Sequence, residues 1–157
     1  MNKELFPAPR ETIKDFDFLN KKYFNNKLPP LDIYISDKVD EGFGSTKYDG
    51  KTGIPLYIVL SPLALDLSEK YYASVLLHEM AHVASLLKIL GNTEKLKEYK
   101  SYGGHTPEWW SIISKLNEEE NSEGENLFHI VPIITDKIFE EYTSDSDYID
   151  DDIEYSL

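Results

Sequence analysis

Residues 78–82, His78-Glu79-Met80-Ala81-His82, put two imidazoles four positions apart with a carboxylate directly after the first. They stand inside the apolar run VLLHEMAHVASLL. On a helix turning about 100° per residue, positions i and i+4 lie about 40° apart around the axis and one turn along it. Both rings then face one point, and their nitrogens can share a single zinc ion at about 2.0–2.1 Å. Glu79, about 100° round from His78, is placed to act as general base on a zinc-activated water. It takes a proton as the water attacks a carbonyl and delivers it to the leaving amine. The competing reading is a pair of ordinary core histidines with Glu79 at the helix surface. Burying two imidazoles and a carboxylate along an apolar helix without partners costs several kcal/mol, and a metal relieves that cost.

A catalytic zinc needs a third protein ligand and an open fourth position. The chain has no cysteine, so disulfides, thiolate sites and cysteine nucleophiles are excluded, and the ligand must be a histidine or a carboxylate. His105 follows Gly103-Gly104 and precedes Thr106-Pro107, a good N-cap and first-turn pair. A ligand on that flexible approach can be aimed at a neighbouring helix, and His105 is the favoured candidate. His129, in LFHIVPII, reads as a half-buried structural histidine. Glu108 offers the alternative H-E-x-x-H…E scheme, yet a first-turn glutamate is explained equally well by the helix dipole.

The elements that must position these residues can be read around them. Residues 11–25 place Ile13, Phe16, Leu19, Tyr23 and Phe24 at helical spacing, and NNKLPP stops the run. LDIYIS (31–36), the Gly-rich stretch from 42 to 53 and IPLYIVLSP (54–62) predict three strands in one small sheet, the last two as a hairpin. A helix over roughly 67–90 follows, with Asp66 or Ser68 as N-cap and Gly91 as its stop. Apolar round most of its girth, it is expected to be central. Residues 92–104 read as a polar connection. The next helix carries Trp110, Ile113 and Leu116, with Trp109 beside them, on its apolar face until NSEGEN breaks it. LFHIVPII reads as strand-like and 135–142 as one more short helix.

The length of 157 residues fits one domain, and 41% apolar with 13% aromatic residues are globular values. The net charge of −13 is uneven: after Lys137 there are eight acidic residues and no basic one. The expected division is a domain over 1–142 and an acidic tail over 143–157. A mobile, solvated tail is the simpler expectation, and a DNA mimic or autoinhibitor the alternative. No cluster of Lys and Arg offers to neutralise phosphates, so direct nucleic-acid binding is not expected. Without an apolar leader or a run of about 18 apolar residues, the expectation is a soluble cytoplasmic protein away from membranes. A monomer is assumed.

In order along the chain, LNKKYFNNKLPPLDIYIS, a Gly-containing turn, IVLSP, LLHEMAHV and GGHTPEWW resemble the SprT-like family of zinc metallopeptidases, which includes Spartan. The resemblance covers roughly 12–117. It implies an α+β, zincin-like fold, with a small sheet of about three strands on helices, a central H-E-x-x-H helix and a second, ligand-bearing helix. It further implies one catalytic zinc on His78, His82 and His105, Glu79 as base, and protein or peptide substrates. In Spartan-type relatives those substrates are proteins crosslinked to DNA. A zincin substrate commonly lies along the edge strand beside the metal, here expected at 54–61 or 42–48. Tyr57, Tyr102 and Trp109 are candidates to line its pockets, with core packing as the rival role, and Tyr99 and Tyr102 are candidates for the oxyanion. The chain departs from the family in having Thr106 where Gly is usual, a longer gap of 22 residues between His82 and His105, and an acidic, cysteine-free C-terminus where many relatives carry a zinc ribbon. Catalysis carries over and DNA tethering does not. A non-catalytic zincin scaffold with an acidic interaction tail is the alternative, which an intact Glu79 disfavours.

Overall fold

Helix α1 (Arg10–Phe24) buries Phe16 and Leu19, with Tyr23 and Phe24 packed beside them. Ile13, on the expected apolar face, is 39% exposed, and its neighbour Thr12 turns inward instead. The helix ends where Asn25 and Asn26 adopt positive φ (54° and 59°), which asparagine tolerates better than most residues. Buried Asn20 fastens the exit: its amide donates to the Leu28 carbonyl at 3.0 Å and accepts from the Leu28 N–H at 3.2 Å. A computed structural model describes residues 5–38, 42–123 and 153–155 of the chain.

The three expected strands form the centre of the sheet. β2 (Asp32–Ile35) runs parallel to β4 (Pro55–Leu60), and β3 (Gly44–Asp49) pairs antiparallel with β4 as a hairpin. Asp49 shapes the hairpin turn, its carboxylate accepting from the N–H groups of Lys51 and Thr52 at 2.8 and 3.1 Å. Two short strands extend the order to β1-β2-β4-β3-β5: β1 (Phe6–Pro7) antiparallel to β2, and β5 (Ile153–Tyr155) parallel to β3. β4 is therefore central, and 54–61 is not an edge. β5 pairs with residues 47–49 of β3, a place in the sheet for part of the acidic segment. The rest of 143–157, like LFHIVPII and the short helix expected at 135–142, lies outside the described residues.

Beyond β4, α2 (Pro62–Leu65) is a single turn capped by Ser61, whose Oγ accepts from the Leu63 N–H at 3.1 Å. α3 (Glu69–Lys88) begins after Ser68 and stops before Gly91, which has φ 81°. It is the central element expected, since residues 73–83 are all buried. The polar connection at 92–104 is in fact mostly helix: α4 (Thr93–Ser101) is capped by Asn92 accepting from the Lys95 N–H at 3.0 Å. Only Leu96 and Tyr99 of α4 are buried, forming a second small core with Tyr48 and Leu86. α5 (Pro107–Glu123) ends inside NSEGEN (121–126), the expected break, where this part of the described chain also ends. Its inward positions are Trp109, Ile113 and Leu116, at i, i+4 and i+7, while Trp110, a further 100° round, is 41% exposed. Among the described residues no helix is long and apolar enough to cross a membrane.

Candidate metal centre

α3 carries His78 and His82 into the interior, 2% and 0% exposed, with ring centroids 5.0 Å apart. The third imidazole arrives from the end of α4. There Gly103 and Gly104 take φ of 62° and 86°, a conformation costly for any residue with a Cβ. Their N–H groups donate to the carbonyls of Lys100 and Tyr99 at 3.1 and 2.8 Å, which closes α4 and reverses the chain. His105 follows at once, and Thr106 starts α5 by accepting the Trp109 N–H on Oγ1 at 3.2 Å. The glycine pair and the cap aim the ring.

His105 Nε2 lies 3.4 Å from His78 Nε2, and one ligand atom from each of the three histidines falls within 4.8 Å of the others. Two nitrogens held tetrahedrally at about 2.0–2.1 Å from one ion stand about 3.3–3.4 Å apart, so the His78–His105 spacing is that of a chelating pair. His82 meets the Tyr99 hydroxyl through Nδ1 at 3.3 Å, on the opposite nitrogen from the buried Nε2. A partner on the far nitrogen is the usual way a ligating imidazole is oriented. Trp109 walls the cluster. Its indole stacks on His82 (5.1 Å, 19°), stands edge-on to His78 and His105, and donates Nε1–H to the His78 carbonyl at 3.4 Å.

Burial first, and then the neighbouring His78 and His105 rings, hold His82 well below the usual histidine range, against a backbone hydrogen bond at Gly104 that acts the other way. A neutral imidazole is the form a metal binds. Three converging imidazoles, with no thiolate anywhere in the chain, fit a metal ion of intermediate softness.

Glu79 is 1% exposed rather than at the helix surface. Its Oε1 accepts a 2.7 Å hydrogen bond from Thr46 Oγ1 on β3. Gly44, two residues earlier on the same face of the strand, lies beneath the other oxygen: a Cβ there would stand 3.5 Å from Oε2.

The remaining sequence candidates fall elsewhere. Glu108 is on the surface, 3.0 Å from Lys88 Nζ, and takes no part in the cluster. His129 lies outside the described residues. Tyr99, a candidate for the oxyanion, stands behind His82 instead; Tyr102, half exposed, is in α4's exit turn; Tyr57 packs edge-on to Tyr34. Thr46 went unnoticed, because its contact with Glu79 spans 33 positions and leaves no local pattern.

The SprT-like family is matched over residues 12–129. No curated protein and no solved structure matches the chain. The matched stretch runs from α1 through the whole of α5 and takes in His78, Glu79, His82 and His105. On that match, which spans most of its length, the chain belongs to the SprT-like family, whose members are metallopeptidase-like.

Proposed function

We propose that the chain is a zinc-dependent endopeptidase that hydrolyses peptide bonds in protein substrates. The observation that carries this reading is the convergence of His78, His82 and His105 beside a buried glutamate in an H-E-x-x-H helix. A zinc ion on the three imidazoles would supply Lewis acidity, polarising the scissile carbonyl and making water acidic enough to deprotonate near neutral pH. Glu79 is the proton carrier: its carboxylate accepts the proton of the attacking water and returns it to the leaving amine nitrogen. His82, kept neutral by burial, holds its lone pair for the metal at neutral pH.

The substrate reading rests on the sheet. Among the described residues β5 covers only 47–49 of β3, and no strand pairs with the outer side of 44–46, the part that carries Thr46 against Glu79. Residues 44–46 are buried, so an extended substrate would add its main chain there, beside the general base, by displacing what covers that edge. Protein components of DNA–protein crosslinks fall within this substrate class. The net charge of −13 gives no reason to expect the chain itself to grip DNA, so such a substrate would be recognised through its protein part.

The decisive experiment pairs metal analysis with cleavage of an unfolded protein. Wild type is expected to hold one zinc per chain and to cleave, while Glu79→Gln keeps the zinc and loses about 100- to 10,000-fold in kcat. Cleavage by Glu79→Gln at the wild-type rate would remove the glutamate from the mechanism. Zinc binding without turnover by wild type would favour the scaffold alternative.

A further inference from the structure

We infer that Thr46 is the positioning residue of the general base: its hydroxyl seats one carboxylate oxygen of Glu79 and so aims the other. The inference rests on the peptidase reading for its kinetic consequence, but the seat itself is a feature of the folded chain.

Thr46 Oγ1 lies 2.7 Å from Glu79 Oε1 and 3.2 Å from the Glu79 backbone oxygen. A threonine hydroxyl has one proton to give. The shorter distance is the ordinary length of an O–H···O bond, and the longer lies beyond that range. The proton therefore points at the carboxylate. Both residues are closed off from bulk solvent, Thr46 at 0% and Glu79 at 1%, so bulk water does not compete for the bond between them.

The strand beneath lies close against its neighbour. Thr46 is in register with Ile58 on the central strand β4, and Gly44 with Leu60. A Cβ on Gly44 would come within 2.9 Å of both Leu60 Cδ2 and the Val59 carbonyl oxygen, so β3 lies against β4 here with no room for a side chain. Glutamate is a long side chain with three rotatable bonds, and a base that must reach the proton of a reacting water needs a single orientation. Thr46 fixes Oε1 from one side and the bare backbone of Gly44 leaves room for Oε2.

Thr46→Val keeps the shape of the side chain and removes the proton donor; Thr46→Ser keeps the donor. With zinc content and KM held at wild-type values, Thr46→Val is expected to lose about 100-fold in kcat, the scale of a misplaced catalytic group, and Thr46→Ser to recover most of it. Crystal structures of the three proteins give a second readout that needs no turnover. The Glu79 carboxylate is expected in one orientation on residue 46 in wild type and Thr46→Ser, and displaced or spread over rotamers in Thr46→Val. Wild-type kcat in Thr46→Val, or an unmoved carboxylate in its crystal, overturns the inference, as does a serine variant as impaired as the valine one. If wild type itself proves inactive, the peptidase reading fails while the crystal comparison still decides the seat. Should Thr46→Val fold poorly, Thr46→Cys takes its place, a close match in size with a weak donor, and an intermediate loss of kcat is expected; no loss overturns the inference.

Discussion

At the scale of single residues, His82 is fully buried among two other imidazoles and a tryptophan. Its depressed pKa makes the folded, metal-free chain reluctant to take a proton that the unfolded chain binds near the ordinary value of 6.5. The sign follows: below pH 6.5 the unfolded state holds more protons, so stability falls as pH falls. Its slope approaches about 1.4 kcal/mol per pH unit for the one proton. Urea unfolding of metal-free protein between pH 7.5 and 5.5 measures this, and His82→Leu is expected to flatten the slope by that one proton. Equal slopes would show that His82 is not the residue refusing the proton. The H-E-x-x-H ligands were legible in the sequence because helical spacing is local: four positions fix two rings on one side whatever the rest of the chain does. Thr46 was not legible, since it meets Glu79 only once a strand 33 positions away has folded under the helix. Trp109 and Trp110 show the same limit. Adjacent and chemically identical, they part by 100° on α5, and only packing determines that the first walls the histidine cluster.

The elements divide by how much apolar pattern they carry. α3 could be read because it is buried over whole turns, and its cap and stop residues are good ones. α4 could not: two buried residues in nine, among lysines and glutamates, leave little periodicity. Its surface pairs, Lys95–Glu98 and Lys97–Glu94, are exposed and contribute little. Its helix rests on the Asn92 cap and on Leu96 and Tyr99 packing against Tyr48 and Leu86. β1 and β5, of two and three residues, are too short to show alternation, and they changed the expected three-stranded sheet to five strands. The exit of α4 has a measurable role. Gly104→Ala forces a Cβ into φ 86° and is expected to cost about 1–2 kcal/mol and to weaken zinc binding at least 10-fold by misaiming His105. Gly91→Ala is the control, with a similar φ of 81° and nothing within 4 Å of the added carbon. It is expected to cost similar stability and leave zinc affinity unchanged. Competition against a chromogenic chelator reads both variants, and equal affinities would remove the aiming role.

Over the whole molecule, the histidine cluster draws on two separate lengths of chain. His78 and His82 belong to the long buried helix, and His105 returns to them after α4 has been laid down on its own small core. The chain has no cysteine, so no disulfide ties these lengths together. An ion shared by His78 and His105, which are 27 positions apart, would do what a disulfide does elsewhere. It would close a loop and deprive the unfolded chain of freedom, an effect of about 3–4 kcal/mol for a covalent loop of that size. Chelation is therefore expected to lower the melting temperature of wild type by roughly 10 °C and to leave His105→Ala almost unmoved, as differential scanning calorimetry would show. A wild-type melting point indifferent to the chelator would mean that the ion does not clasp the two lengths. Where it does, α4 lies within the loop that the clasp encloses, together with the C-terminal half of α3. On the proposed function, a cell short of zinc would then hold a protein not merely idle but loosened around that loop, and so exposed to the same kind of cleavage it would perform on others.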